Sequence, residues 1–129
     1  MQETEKIEIM NFDQEGYLAD GKAAVEAGKK MAQIADRVAD EGYDAVFLMG
    51  VGGTWDELMQ LEYLMNKFGD KDLEVYLVHA AEWNVMGHKR MTERSVVLTA
   101  SESGTTPEVL EAVKKLKQMG VRTFAMTKP

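Results

Sequence analysis

The sequence predicts an α/β domain of three layers, α-β-α, built on a doubly wound parallel sheet. Three observations predict it. Short apolar runs of strand length, Asp44–Met49, Leu73–Val78, Ser95–Thr99 and Val121–Met126, alternate with longer helical segments. The first of them, DAVFLM, is continuously apolar, as in a strand covered on both faces. The turns that follow the first and third runs, Gly50–Thr54 and Ser101–Thr106, are rich in glycine and in hydroxyl side chains, and ligands of open α/β sheets bind beyond the carboxyl ends of strands.

Residues 1–16 carry few periodic apolar positions and read as an N-terminal arm that Ile7, Ile9 and Phe12 could anchor; residues 17–129 read as one domain. From about Tyr17 to Asp40 the pattern is helical, with Ala27, Met31, Ile34, Ala35 and Val38 on one face, and Glu41-Gly42 ends it. After the first strand, the glycines of Gly50-Val51-Gly52-Gly53-Thr54 allow close backbone approach, and Thr54 with Glu57 predicts a capping box. The helix Trp55–Phe68 presents Leu58, Leu61, Leu64, Met65 and Phe68 as its apolar stripe, and Gly69 closes it. A poorer helix is expected over Ala81–Met91. The last helix, Val109–Met119, has Pro107 and Glu108 in its first turn, with a second capping box from Thr105 to Glu108.

Composition excludes several function classes. The chain is 45% apolar and 29% charged, which is globular composition. A net charge of -7 repels a phosphate backbone, and the basic clusters His88-Lys89-Arg90 and Lys114-Lys115-Lys117 are short, so nucleic acid is not expected as a partner. With no cysteine, thiolate catalysis, disulfides and thiolate metal sites are excluded, and a cytoplasmic location is expected. No run approaches the roughly eighteen apolar residues of a membrane span, so no membrane partner is expected, nor any metal or cofactor.

The stretch Ser101-Glu102-Ser103-Gly104-Thr105-Thr106-Pro107-Glu108 has the design of an anion cradle. Helix-start N–H groups and the positive end of the helix dipole favour a phosphate or carboxylate, and hydroxyls add neutral donors. It contains no lysine or arginine, so the expected ligand group is a small anion held by hydrogen bonds and dipole. The glycine turn at Gly50–Gly53 superficially suggests a dinucleotide site. Trp55 stands where the third glycine of GxGxxG belongs, however, and Glu74, the candidate ribose acid, lies near the start of its strand. No GK[ST] sequence marks a P-loop either.

SESGTTPE, between a buried strand and a helix and preceded by a second glycine-rich strand end, resembles the serine-glycine-threonine loop of sugar isomerase (SIS) domains. The resemblance covers about Tyr17 to Pro129. It is closest to the first of the two tandem domains of fructosamine-6-phosphate deglycases and of the isomerase part of glucosamine-6-phosphate synthases. It implies a flavodoxin-like strand order, in which the first and third strands flank the ligand crevice. It also implies that Ser101, Ser103 and Thr106 bind phosphate, with Thr105 beside them and Glu102 and Gly104 supplying backbone, and that Gly52, Gly53 and Thr54 form the turn against the sugar. Glu102 departs from the small polar residue usual there, and must point away from a phosphate or meet an amine on the substrate. The family's fifth strand and its catalytic glutamate have no counterpart. The resemblance therefore implies the first half of a tandem protein, inactive alone, whose partners are a phosphorylated sugar or amino sugar, a second SIS domain and a further subunit.

Sugar-phosphate isomerisation or deglycation needs a general base near C1 and C2. His79, at the end of the second strand, is the candidate; His88 reads as a surface residue, Glu108 as an outward-turned helix-start carboxylate, and Trp55 and Trp83 as packing or subunit-contact residues. A non-catalytic module sensing a phosphosugar, or a flavodoxin-like domain for another phosphorylated ligand, are the alternatives.

Overall fold

The computed structural model describes residues 11–128, so Ile7, Ile9, most of the expected arm and Pro129 lie outside the described residues. The chain divides into two units, residues 1–40 and 41–129.

The first unit is dominated by helix α1, Gln14–Glu41. It begins three residues before the expected Tyr17 because Asp13 caps it: the Asp13 carboxylate accepts the Gly16 N–H at 2.9 Å and its carbonyl the Tyr17 N–H at 3.0 Å. The Phe12 ring lies beside Tyr17, and Phe12 is half exposed.

The second unit is a four-stranded sheet in the order β2-β1-β3-β4, with every pairing parallel. Its strands are β1 Val46–Gly50, β2 Val75–His79, β3 Val96–Ser101 and β4 Arg122–Thr127. The helices between them are α2 Gly53–Phe68, α3 Ala80–Met86 and α4 Pro107–Gln118. Because side chains alternate along a strand, Phe47, Met49 and Val97 face α3 and α4, where they pack with Trp83, Ala112 and Leu116. Leu48 points the other way, against Leu58 of α2, with Leu61, Met65 and Leu77 around it. Both sheet faces are thus covered, which is why β1 reads as an unbroken apolar run.

Other boundaries also differ from expectation. Helix α3 stops at Met86 because Gly87 adopts a positive φ of 62° and returns its N–H to the Trp83 carbonyl at 2.8 Å. Strand β2 starts at Val75, after a turn closed by Leu73 N–H on the Asp70 carbonyl, and runs on to His79. Strand β3 continues to Ser101, since β4 pairs with it as far as Ser101 beside Thr127.

Candidate functional site

Strands β1 and β3 are neighbours at the centre of the sheet: the chain leaves β1 for β2 on one side and then crosses from β2 back past β1 to β3 on the other. The turns Gly50–Thr54 and Ser101–Thr106 therefore emerge at one edge, flanking the point where strand order reverses. His79 ends β2 at the same edge, in register with Gly50.

The first turn is closed by its own threonine. The Thr54 hydroxyl donates to the Val51 carbonyl at 3.0 Å and accepts the Val51 N–H at 3.2 Å. Thr54 is thus not the helix cap: α2 already starts at Gly53, with Gly52 before it at φ 56° and no side-chain cap, so the expected Thr54–Glu57 capping box does not form. Gly50 has a steric reason to be glycine, because a Cβ there would come within 2.7 Å of the Trp55 backbone nitrogen. The start of α2 lies directly on β1. The Trp55 and His79 rings are 6.4 Å apart, and both residues are partly buried.

The second turn is a hydroxyl network. Ser101, 5% exposed, has its Oγ 2.9 Å from the Thr106 hydroxyl and accepts the Gly104 N–H at 3.1 Å. The Ser103 hydroxyl accepts both the N–H and the hydroxyl of Thr105, at 3.1 and 2.8 Å. Gly104 takes φ 67°, which a residue with a side chain rarely adopts. The Thr105–Glu108 capping box is also absent: Thr106 occupies the cap position of α4, and its hydroxyl turns to Ser101 instead of capping the helix. Pro107 has no N–H, so the unused helix-start donors are those of Glu108 and Val109, whose positions precede the first intrahelical bond, Leu110 N–H to Thr106 carbonyl at 3.0 Å. Ser101 is therefore an organiser of the loop, while the exposed Ser103 and Thr105 hydroxyls lie on its outer side.

The loop's lack of a cation in sequence is made good in space. Lys128, just past β4, places its ammonium 2.7 Å from the Glu102 carboxylate and donates its N–H to the Glu102 carbonyl at 3.3 Å. The hydrogen bond from Lys128 holds the Glu102 carboxyl below the usual carboxylate range. Pairing order alone brings Lys128 here, and nothing in the local sequence around Ser101 signals it.

The other candidates fall elsewhere. Glu74 precedes β2, at the opposite edge of the sheet, where hydrogen bonds from Arg90 and then Tyr76 hold its carboxyl low. This agrees with the rejection of a dinucleotide site. His88 is not a free surface residue: its ring is 5.0 Å from Phe47 and 4.8 Å from Tyr76, because the early end of α3 folds the following turn back onto β1 and β2. Trp83 is in the core at 5% exposure, as expected of packing. The Glu108 carbonyl accepts the Asn84 side-chain N–H at 2.8 Å, tying α3 to α4. A cavity of about 380 Å³ lined by Trp83, His88, Met91 and Met119 lies toward the far end of α4, away from the two turns. Among the described residues no cluster of acidic and histidine side chains could hold a metal, and no helix is long and apolar enough to cross a membrane.

No protein-family model and no curated protein matches the sequence. Solved structures match the fold. The chain aligns over 74% of its length with a candidate phosphosugar isomerase from Salmonella typhimurium, at 23% identity and a TM-score of 0.67. A candidate phosphosugar isomerase from Bacillus subtilis aligns over 71% of the chain, at 27% identity and a TM-score of 0.64. The fold is that of an SIS domain. A third structure of this fold, from Escherichia coli CFT073 and in complex with a phosphosugar, aligns over 92% of this chain and 67% of its own, at 19% identity and a TM-score of 0.63. The chain spans 28% and 29% of the lengths of the first two proteins. The parallel sheet with helices on both faces is thus that of an SIS fold, as the SESGTTPE resemblance implied.

Proposed function

We propose that residues 17–129 are a phosphosugar-binding domain of the kind that serves sugar-phosphate isomerases and fructosamine-6-phosphate deglycases. Ser103, Thr105 and Thr106, with the backbone around Glu102 and Gly104, hold the substrate phosphate, and Ser101 fixes the loop that presents them. Gly52, Gly53 and Thr54 turn toward the sugar, and His79, beside them at the end of β2, is the candidate for moving a proton.

The observation that carries this reading is the convergence of the two ligand-type turns on neighbouring central strands, at the reversal of strand order. The phosphosugar bound to the Escherichia coli neighbour supports the choice of ligand class. Backbone donors at the start of α4 favour the anionic end of such a ligand, and the glycines of the first turn leave room for its uncharged end.

Calorimetric titration with fructose 6-phosphate, glucosamine 6-phosphate, the corresponding unphosphorylated sugars and a flavin nucleotide tests it. A sugar phosphate should bind, its unphosphorylated counterpart far more weakly, and the flavin nucleotide no better than either. Equal affinity for phosphorylated and unphosphorylated sugar would remove the phosphate cradle.

A further inference from the structure

The end of β4 brings a positive charge to a loop whose own sequence has none. Sheet register fixes the backbone at this point. Thr127 pairs with Ser101, the Thr127 methyl lies 3.5 Å from where a Cβ on Gly104 would stand, and the Lys128 N–H reaches the Glu102 carbonyl at 3.3 Å. The carboxyl end of β4 is therefore a wall of the Ser101–Thr106 loop. The Lys128 side chain is 65% exposed and the Glu102 side chain 74% exposed, with 2.7 Å between ammonium and carboxylate. An ion pair so open to water constrains its lysine weakly, and lysine is a point charge on a flexible four-carbon stem that can change partners without moving its backbone.

While the pair holds, the two charges cancel beside the hydroxyls and helix-start donors. A phosphate arriving there carries more charge and more acceptor oxygens than the glutamate carboxylate does. It competes for the same ammonium at the same place.

We propose that Lys128 is the phosphate-binding cation of this loop and that Glu102 is its built-in competitor, holding the ammonium until a ligand phosphate takes it over. This rests on the phosphosugar reading of the loop and adds to it a device that sets affinity. The carboxylate holds the cation close while lowering affinity for anions generally, so a ligand must supply a phosphate well seated on the hydroxyls and N–H groups to displace it.

Titration of the full chain with inorganic phosphate and with fructose 6-phosphate, at low and moderate salt, tests the exchange through three variants. Lys128→Met should weaken both ligands roughly two- to fivefold and flatten the salt dependence. Glu102→Gln should tighten both by a similar factor, roughly two- to fivefold, since one competitor for the ammonium is gone while the cation stays. The double variant should bind no more tightly than Lys128→Met alone. A purely structural ion pair predicts instead that the two single variants weaken binding together or leave it unchanged, and either result overturns the exchange. If the unsubstituted chain binds neither phosphate nor fructose 6-phosphate, the phosphosugar reading itself falls and the exchange with it. That outcome is distinct from a chain that binds both but is insensitive at 102 and 128.

Discussion

Removing a single oxygen at Ser101 tests whether the loop is organised as described. In Ser101→Ala, the Gly104 N–H keeps only a longer hydrogen bond, 3.3 Å, to the backbone carbonyl of residue 101, and the Thr106 hydroxyl is left without its partner at 2.9 Å. Ser101 is 5% exposed, so water replaces the missing oxygen poorly. Leaving partly buried polar groups unsatisfied costs about 1–3 kcal/mol, which for a domain of this size lowers the thermal midpoint by roughly 4 °C per kcal/mol. Ser103 is exposed, and its hydroxyl serves only Thr105 next to it among the described residues, so Ser103→Ala should cost under about 0.5 kcal/mol in stability. Urea unfolding separates the two. On the proposed phosphate-binding reading, affinity should fall in both by about 1–2 kcal/mol each, for different reasons: Ser103→Ala would remove a hydroxyl proposed to bond the phosphate itself, whereas Ser101→Ala would loosen the loop that presents it. If Ser101→Ala unfolds at the same urea concentration as the unsubstituted chain, the buried hydroxyl network is not what holds the loop, and the division of roles between the two serines is wrong.

Acid should weaken the tie between β2 and the turn after α3. The folded Glu74 carboxyl sits below the usual carboxylate range, so the stabilisation from its pairing with Arg90 is complete above the unfolded value and is lost as pH falls through the folded one. The stability gap between the unsubstituted chain and Glu74→Gln should be open at neutral pH and close below about pH 4; a gap constant from pH 7 to 3 would refute the linkage. The surface of α2 predicts self-association, with Met59 41%, Tyr63 58%, Leu64 50% and Phe68 72% exposed along it, and β4 leaves one sheet edge unpaired among the described residues. A dimer burying about 1,200 Å² or more in total is expected, and sedimentation as a clean monomer at tens of micromolar would count against it.

The sequence by itself determined the layers. Apolar runs covered on both faces, separated by amphipathic stretches, leave little choice but a parallel sheet between helices, and that pattern is local and periodic. It also marked Gly50–Thr54 and Ser101–Thr106, because glycine and hydroxyl clusters after a strand stand out residue by residue. Tertiary structure decided what those side chains do. A hydroxyl just before an expected helix reads as a cap; whether it caps depends on what else lies within reach, and here Val51 captured Thr54 and Ser103 captured Thr105. His88 was placed on the surface by its charged neighbours, yet the φ of one glycine returned it to an aromatic cluster. The pairing of Glu102 with Lys128 crosses 26 residues and exists because β4 lies next to β3. Strand order is set by how helices pack and connections cross, summed over the whole domain, so no window of sequence around either residue contains it.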